Sequence, residues 1–167
     1  EECKKQGKIK YIGCSNFTEA LTLNIKEKYD LDFLQLPYNL IYKDKESQLI
    51  EAKNEKIFTM IYDVLARALL TGKYKEKIDF GKNDSRNRDK YFNGDYNKLG
   101  LDMVKKIEKL SFKYNKTPAQ IAIKWALNQN FINCILVGNK KGSQVLENIN
   151  IFDWDLIKSD ELFLLEN

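Results

Sequence analysis

The stretch Ile9–Cys14 reads IKYIGC, and two further apolar runs follow it, FLQL at Phe33–Leu36 and IFTMIYDV at Ile57–Val64. The three runs begin at residues 9, 33 and 57 and are therefore evenly spaced. Short apolar runs rich in β-branched and aromatic residues are typical of buried strands. A fourth such run, INCILV at Ile132–Val137, follows after a longer interval. We therefore predict four buried strands.

Segments with helical periodicity follow the first, second and fourth runs. They are Ala20–Lys28, Asp44–Glu55 and Gly142–Ile151, and Thr18 is placed to cap the first of them. Parallel strands need a crossover connection of about a dozen residues or more, usually a helix. The alternation therefore predicts parallel β/α units, which suit either half of an eight-stranded barrel or a small open sheet.

The longer interval between the third and fourth runs contains an insertion. Polar residues dominate 75–97, and two helices are predicted beyond it at Lys98–Tyr114 and Ala119–Gln129. Thr117–Pro118 suits the start of the second helix, because Thr accepts from free N–H groups and Pro already has a helical φ. A polar loop of this length is typical of a lid, a binding loop or a disordered segment. A last helix is predicted at Ser159–Glu166.

Length and composition limit the class of protein. A chain of 167 residues with 43% apolar and 31% charged residues fits one globular domain, taken as residues 1–167. Its 28 Lys and Arg and 24 Asp and Glu residues are spread along the chain, which disfavours nucleic acid as a partner. No apolar run approaches the roughly 20 residues of a membrane span. The chain opens on Glu1–Glu2 rather than Met, which suggests an internal piece of a longer sequence.

Cysteine and histidine counts exclude several kinds of site. Cys3, Cys14 and Cys134 are an odd number without a C-x-x-C spacing, which favours structural thiols in a reducing cytoplasm. The chain contains no histidine, so His-based triads and His metal sites are excluded, and we expect no metal site. It also lacks G-x-G-x-x-G, the G-x-x-x-x-G-K-[ST] phosphate loop and a Tyr-x-x-x-Lys pair.

Seven segments, in order and with matching spacing, resemble those of one enzyme family. They are Gly7–Phe17 (GKIKYIGCSNF), Gln35–Leu40 (QLPYNL), Ile61–Tyr74 (IYDVLARALLTGKY), Asp84–Arg86 (DSR), Tyr91–Phe92 (YF), Thr117–Ala122 (TPAQIA) and Val137–Asn148 (VGNKKGSQVLEN). Together they resemble the aldo-keto reductase family. The resemblance implies an α/β fold, the C-terminal half of a (β/α)8 TIM barrel with strands five to eight. It also implies hydride transfer between NAD(P)H and a carbonyl or alcohol.

The resemblance implies that residues at the ends of three strands bind the nicotinamide ring of the cofactor. Ser15, Asn16 and Gln35 match positions that bond the carboxamide of the cofactor, and Tyr62 matches the aromatic plate on which the ring stacks. Functional residues of such barrels gather at the C-terminal ends of the strands, where these residues fall. An ordinary Ser-Asn turn, a structural amide and one more core aromatic are the alternative interpretations.

A second group of cofactor residues follows the third strand. Asp63, Leu65 and Arg67 match the loop that covers the cofactor in the family. The family usually has Ser-Pro where this chain has Asp63–Val64, and that Ser commonly donates to the pyrophosphate. An ionised carboxylate cannot donate and would repel a phosphate. Ala68 likewise replaces a usual Gly.

The segment after the fourth strand matches the family's site for the adenosine end of the cofactor. The residues implied are Gly138, Asn139, Lys140, Gln144, Glu147 and Asn148. Positive charge at Lys140 and Lys141 suits a 2′-phosphate, which favours NADP, with NAD as the alternative. Gln144 stands where some members have an Arg for that phosphate, which weakens the case for NADP. Glu147 and Asn148 match residues that bond the adenine.

The family's catalytic Tyr, Lys, Asp and His lie on its first four strands, so no catalytic residue is carried over to this chain. We therefore expect the cofactor-binding half of an NADP-dependent oxidoreductase, active on a small carbonyl or alcohol only when completed and inactive alone. The partner would be the missing N-terminal half or a second copy, because open sheet edges promote association. The alternative is a non-catalytic half-barrel module that acts through protein association. A cytoplasmic location is expected.

Overall fold

A single parallel sheet forms the centre of the molecule in the computed structural model, which describes residues 1–75 and 80–166. Its strands lie in the order β1-β2-β3-β4 and all pair in parallel. They are β1 (Gly13–Ser15), β2 (Phe33–Pro37), β3 (Phe58–Tyr62) and β4 (Cys134–Ile135). The four predicted strands and their parallel arrangement are therefore confirmed.

The two outer strands are shorter than the apolar runs that predicted them, because side chains take over bonds that a ladder would make. On the β1 side, the carboxylate of Asp32 accepts the N–H of Ile12 at 2.8 Å. On the β4 side, Oδ1 of Asn133 accepts the N–H of Thr59 at 3.1 Å. Each outer strand also pairs with only one other strand, so its ladder of backbone hydrogen bonds ends early.

Seven α-helices accompany the strands in the described part of the chain. They are α1 (Glu2–Lys5), α2 (Glu19–Lys28), α3 (Glu46–Asn54), α4 (Gly94–Tyr114), α5 (Pro118–Leu127), α6 (Gly142–Ile149) and α7 (Lys158–Leu165). Short 3-10 segments lie at Leu69–Thr71, Ser85–Arg88, Lys90–Phe92 and Asn150–Asp153. The six predicted helices are all present within a few residues of their predicted bounds, and α1 was not predicted. None of the helices among the described residues is both long and apolar enough to cross a membrane.

Two predicted helix starts are confirmed by side-chain capping hydrogen bonds. Oγ1 of Thr18 accepts the N–H of Leu21 at 3.3 Å, which caps α2. Thr117 and Gln120 form a reciprocal capping box at α5, with bonds of 3.3 and 3.0 Å, and Pro118 occupies the first turn. These contacts join residues three apart, so the local sequence was sufficient to predict them.

Burial alternates along the two central strands. Leu34, Leu36 and Ile61 are fully buried under the helices, whereas the intervening residues are partly exposed. Alternate residues of a strand point to opposite faces of a sheet, so one face carries the core and the other is open. Gln35, which pairs with Met60, and Tyr62, which pairs with Pro37, both lie on the open face.

The predicted polar stretch 75–97 has more structure than a plain loop. Phe80, Tyr91 and Phe92 in it are buried, and Phe80 and Phe92 pack edge to face at 4.6 Å between ring centroids. Helix α4 begins inside the stretch at Gly94, and residues 76–79 lie outside the described residues. The aromatic side chains therefore anchor the described part of this segment to the core.

Candidate functional site

Strands β1 and β3 are joined across β2 by one side-chain hydrogen bond. Tyr62, the last residue of β3, donates its phenolic hydrogen to Oδ1 of Asn16 at 2.7 Å. Asn16 directly follows β1, adopts a left-handed φ of 62°, and donates its backbone N–H to the carbonyl of Gln35. The carboxyl ends of three strands therefore meet at one point, where the amide group of Asn16 is left with its N–H donors.

Two further predicted residues border this pair. Ser15 and Gln35 are register partners on β1 and β2, so they lie side by side. The hydroxyl of Ser15 is exposed, and the side chain of Gln35 is half-buried on the open face of the sheet. Within the described residues the Gln35 amide has no hydrogen-bond partner. The structure therefore brings Ser15, Asn16, Gln35 and Tyr62 together as a cluster of polar groups beside an aromatic ring.

The loop that follows β3, residues 63–68, has a strained backbone. Asp63, Ala66, Arg67 and Ala68 have φ values of 60, 47, 54 and 74°, all in the left-handed region. Each such residue with a side chain costs roughly 1 kcal/mol or more, so the surroundings must hold the loop in place. Backbone strain of this kind is concentrated at functional sites.

A buried asparagine supplies much of that restraint. The amide of Asn39, which is fully buried, donates to the carbonyl of Asp63 at 3.0 Å and to the hydroxyl of Tyr91 at 2.9 Å. Its oxygen accepts the N–H groups of Ile41 and Tyr42. Sequence reasoning missed Asn39 as a site residue, although it stands in the QLPYNL segment that carried part of the resemblance.

The side chain of Asp63 is held by a local bond to the loop backbone. Its Oδ1 accepts the N–H of Arg67 at 3.2 Å. Burial raises the pKa of Asp63 above its ordinary value, although the bond from Arg67 opposes this shift. The guanidinium of Arg67 pairs with Asp89, with 3.2 Å between Nε and Oδ2. Leu65 is half-buried against the core.

The segment after β4 is organised by side-chain bonds to its own backbone. Oε1 of Gln144 accepts the N–H groups of Lys140 and Lys141 at 2.8 and 3.1 Å. Asn148 donates to Oδ1 of Asn139 at 2.8 Å, and Asn139 donates to the carbonyl of Val137 at 3.0 Å. These bonds shape the turn into α6 and leave the side chain of Lys140 exposed.

Glu147 and Gly138 complete the predicted set on this side of the sheet. Oε1 of Glu147 accepts the hydroxyl hydrogen of Thr117 at 2.6 Å, which ties α6 to α5. Gly138 is exposed, and a Cβ there would meet nothing within 4 Å. The described residues contain no group of three or more His, Cys, Asp or Glu side chains that could hold a metal ion.

Comparison with known proteins identifies the family. The protein-family model whose description is Aldo/keto reductase family matches residues 1–165 of this chain. The chain belongs to this family. An aldo-keto reductase, YhdN, of Bacillus subtilis is 35% identical over 163 residues, which are 96% of this chain and 49% of that protein. The NADH-specific methylglyoxal reductase of Escherichia coli is 26% identical over 166 residues, which are 99% of this chain and 50% of that protein.

Solved structures of aldo-keto reductases also superpose on this chain. A glycerol dehydrogenase from Gluconobacter oxydans superposes with a TM-score of 0.86 at 28% identity, over 98% of this chain and 50% of that one. The thermostable aldo-keto reductase Tm1743 superposes with a TM-score of 0.72 at 20% identity, which shows the fold. The chain therefore has the fold of half a TIM barrel and spans about half the length of the aldo-keto reductases it matches.

Proposed function

We propose that this chain is the cofactor-binding half of an NAD(P)H-dependent oxidoreductase of the aldo-keto reductase type. The observation that carries the proposal is the convergence of Tyr62, Asn16 and Gln35 at the carboxyl ends of three parallel strands. Barrel enzymes place their functional groups at this end of the strands. When bound, the cofactor supplies the hydride that is exchanged with a small carbonyl or alcohol substrate.

The polar cluster fits the nicotinamide end of the cofactor. A carboxamide presents one oxygen acceptor and an NH2 donor group. The Asn16 amide has donors available because its oxygen is already bonded to Tyr62, and the Gln35 and Ser15 side chains can both donate and accept. The ring of Tyr62 supplies a flat apolar surface for the nicotinamide, which would fix the face that exchanges the hydride.

The loop at residues 63–68 fits the pyrophosphate less well. An ionised Asp63 repels phosphate oxygens and offers them no hydrogen. Arg67 is the compensating group, because its side chain is 60% exposed and, among the described residues, its guanidinium is paired with Asp89. It could turn from that carboxylate towards a phosphate, which would offer the guanidinium a second anionic partner.

For the adenosine end we propose the turn into α6, residues 138–148. The exposed ammonium of Lys140 favours NADP, because a 2′-phosphate carries additional negative charge. Gln144 caps the turn rather than extending towards a ligand, which leaves NAD as the alternative. Relatives are named for both cofactors, one of Schizosaccharomyces pombe for NADP(+) and one of Escherichia coli for NADH.

The proton donor and half of the substrate pocket would come from four further β/α units. As far as the described residues go, the sheet has two unpaired edges. Exposed apolar side chains flank both of them, Ile9 and Tyr11 near β1 and Leu136 and Leu146 beyond β4. Closing an eight-stranded barrel would cover these edges and side chains. The three free cysteines support a reducing, cytoplasmic location.

A second candidate is a non-catalytic half-barrel module that acts by association with another protein. Two observations favour it, the carboxylate at Asp63 and the exposed apolar residues of α6, where Leu146 and Ile149 are 69% and 56% exposed. Apolar groups in such a position are typical of interaction surfaces. This candidate predicts association without binding of a dinucleotide.

A fluorescence titration with NADPH and NADH tests the proposal. We expect binding by the 167-residue chain, and binding at least about tenfold weaker in Tyr62→Ala, because the stacking surface is lost. Tyr29→Ala is the matched control, since Tyr29 is an exposed tyrosine at the end of α2. Absence of binding by the unaltered chain would favour the second candidate. Carbonyl reduction by the chain alone would contradict our view that the proton donor lies elsewhere.

A further inference from the structure

We propose that three tyrosine rings, in segments that follow β2 and β3, form a binding site for a small molecule that carries a quaternary ammonium group. The rings belong to Tyr42, Tyr91 and Tyr96, and we call them the aromatic cage. In this structure the ammonium of Lys90 occupies the cage. The cage residues are not among those proposed to contact the dinucleotide, so the inference goes beyond the proposed function and does not rest on it.

The three rings stand at steep angles to one another, as the walls of a cage do. The ring centroids of Tyr42 and Tyr96 are 5.9 Å apart, with 61° between the ring planes. The ring of Tyr91 lies 6.4 Å from that of Tyr42 at 85° and 6.2 Å from that of Tyr96 at 75°. Tyr91 is buried, whereas Tyr42 and Tyr96 are half-buried, so the cage has a closed floor and an accessible rim.

The position of Lys90 shows that the cage accepts a cation. Its Nζ lies 2.9 Å from the ring centroid of Tyr42, 5.1 Å from that of Tyr91 and 5.4 Å from that of Tyr96. A cation within about 6 Å of a ring centroid is attracted by the negative face of that ring. In the described part of the chain, this ammonium contacts the three rings and makes neither a hydrogen bond nor a salt bridge.

A lysine ammonium is nevertheless a poor match for the cage. It is strongly hydrated and has three N–H donors, for which the rings offer no oxygen acceptor. Burial lowers the pKa of Lys90, and three nearby carboxylates oppose this shift without reversing it. A quaternary ammonium group has no N–H to leave unpaired and is bound by aromatic cages in other proteins. The cage therefore suits such a group better than it suits its own lysine.

The charges around the cage also favour a cation. The exposed carboxylate of Asp44 accepts the hydroxyl hydrogen of Tyr96 at 3.3 Å and so lies at the rim. Asp63 and Asp89 are the other two carboxylates that act on this position. The guanidinium of Arg67 is paired with Asp89. When the lysine turns outward, negative charge is therefore in excess among the described residues here, and an incoming cation restores the balance.

Lys90 can leave the cage while its segment stays in place. Its side chain is exposed overall, and contacts of its neighbours hold the backbone. Oδ1 of Asp89 accepts the N–H of Tyr91 at 3.0 Å, and the hydroxyl of Tyr91 accepts a hydrogen from the buried amide of Asn39 at 2.9 Å. The walls of the cage therefore do not depend on the lysine, which acts as a tethered competitor for the ligand.

Titration with tetramethylammonium chloride, followed by NMR spectroscopy of the tyrosine rings, tests the inference. We expect Lys90→Gln to bind this cation at least about tenfold more tightly than the unaltered chain, because the competing side chain is gone. Lys98→Gln, at an exposed position of α4, is the matched control and should bind as the unaltered chain does. Ammonium chloride should bind to Lys90→Gln at least about tenfold more weakly than tetramethylammonium chloride, because ammonium is more strongly hydrated.

Substitutions of the cage locate the bound cation. In the Lys90→Gln background, Tyr42→Leu and Tyr96→Leu should each abolish binding of tetramethylammonium, whereas Tyr42→Phe should retain it because phenylalanine keeps the aromatic face. Equal binding by Lys90→Gln and the unaltered chain, absence of binding by Lys90→Gln, or equal binding of the two cations would each overturn the inference. These titrations contain no dinucleotide, so a failure of the proposed function would leave their result unchanged.

Discussion

The phenolic hydroxyl of Tyr62 donates to Oδ1 of Asn16 at 2.7 Å, although the two residues lie 46 positions apart in the chain. The bond orients the Asn16 amide beside an aromatic ring and next to Gln35, and no acceptor among the described residues takes its hydrogens. A group of donors attached to a rigid sheet is better suited to ligand binding than the same residues on a mobile loop.

Tyr62→Phe should weaken dinucleotide binding about fivefold to tenfold, since one hydrogen bond of about 1 kcal/mol that orients Asn16 is lost while the ring remains. Fluorescence titration with NADPH measures the change. Binding of the ADP-ribose portion alone should be unaffected, because it lacks the nicotinamide. Equal losses for both ligands would show that the hydroxyl stabilises the fold rather than orienting the amide. Tyr29→Phe serves as the control.

Asn39→Ala should lower the free energy of unfolding by about 2–4 kcal/mol. The fully buried amide makes four hydrogen bonds, and its loss leaves buried groups of Asp63 and Tyr91 without partners. Urea denaturation followed by circular dichroism measures the difference. Asn24→Ala, on the exposed surface of α2, should change stability by less than about 0.5 kcal/mol. A similar small effect for both variants would contradict the restraining role of Asn39.

Gly100→Ala should destabilise the protein by about 1–3 kcal/mol, even though Ala is the better helix former. A Cβ at this position of α4 would lie 2.2 Å from Cδ2 of Leu69 and 3.3 Å from Cδ1 of Ile41. Leu69 is fully buried and has little room to yield. Gly142→Ala is the matched control, because a Cβ at this first residue of α6 meets nothing within 4 Å. The midpoint of thermal unfolding should therefore fall for Gly100→Ala, whereas that of Gly142→Ala should rise or stay unchanged.

Asp160 should contribute to the acid sensitivity of the fold. Burial alone would raise the pKa of this carboxylate, but hydrogen bonds from Lys113 and Tyr114 outweigh it and lower the pKa below 3.8. A carboxylate with a depressed pKa stabilises the folded state above its unfolded pKa, and this contribution is lost as the pH falls. The free energy of unfolding of the unaltered chain should thus fall more steeply below about pH 4 than that of Asp160→Asn. Asp153→Asn, an exposed position, should retain the steep profile.

Local order along the chain could be predicted from the sequence because its causes are local. Apolar runs beginning at residues 9, 33 and 57 indicated the parallel β/α units, and Thr18 and Thr117 indicated two helix starts. The bounds of β1 and β4 were less predictable. Asp32 and Asn133 replace ladder bonds there with side-chain bonds, and the sequence pattern does not reveal where a side chain takes over.

The amino-acid sequence was sufficient to predict the strands, the helices and the family resemblance, because periodicity, capping and motif spacing depend on residues that are close together in the chain. The contact of Tyr62 with Asn16, the bonds from Asn39 to Asp63 and Tyr91, and the strained turn after β3 depend on the folded chain. These contacts join residues 24 to 52 positions apart. Only packing of the sheet and the segment before α4 brings such residues together and decides which hydrogens are free for a ligand.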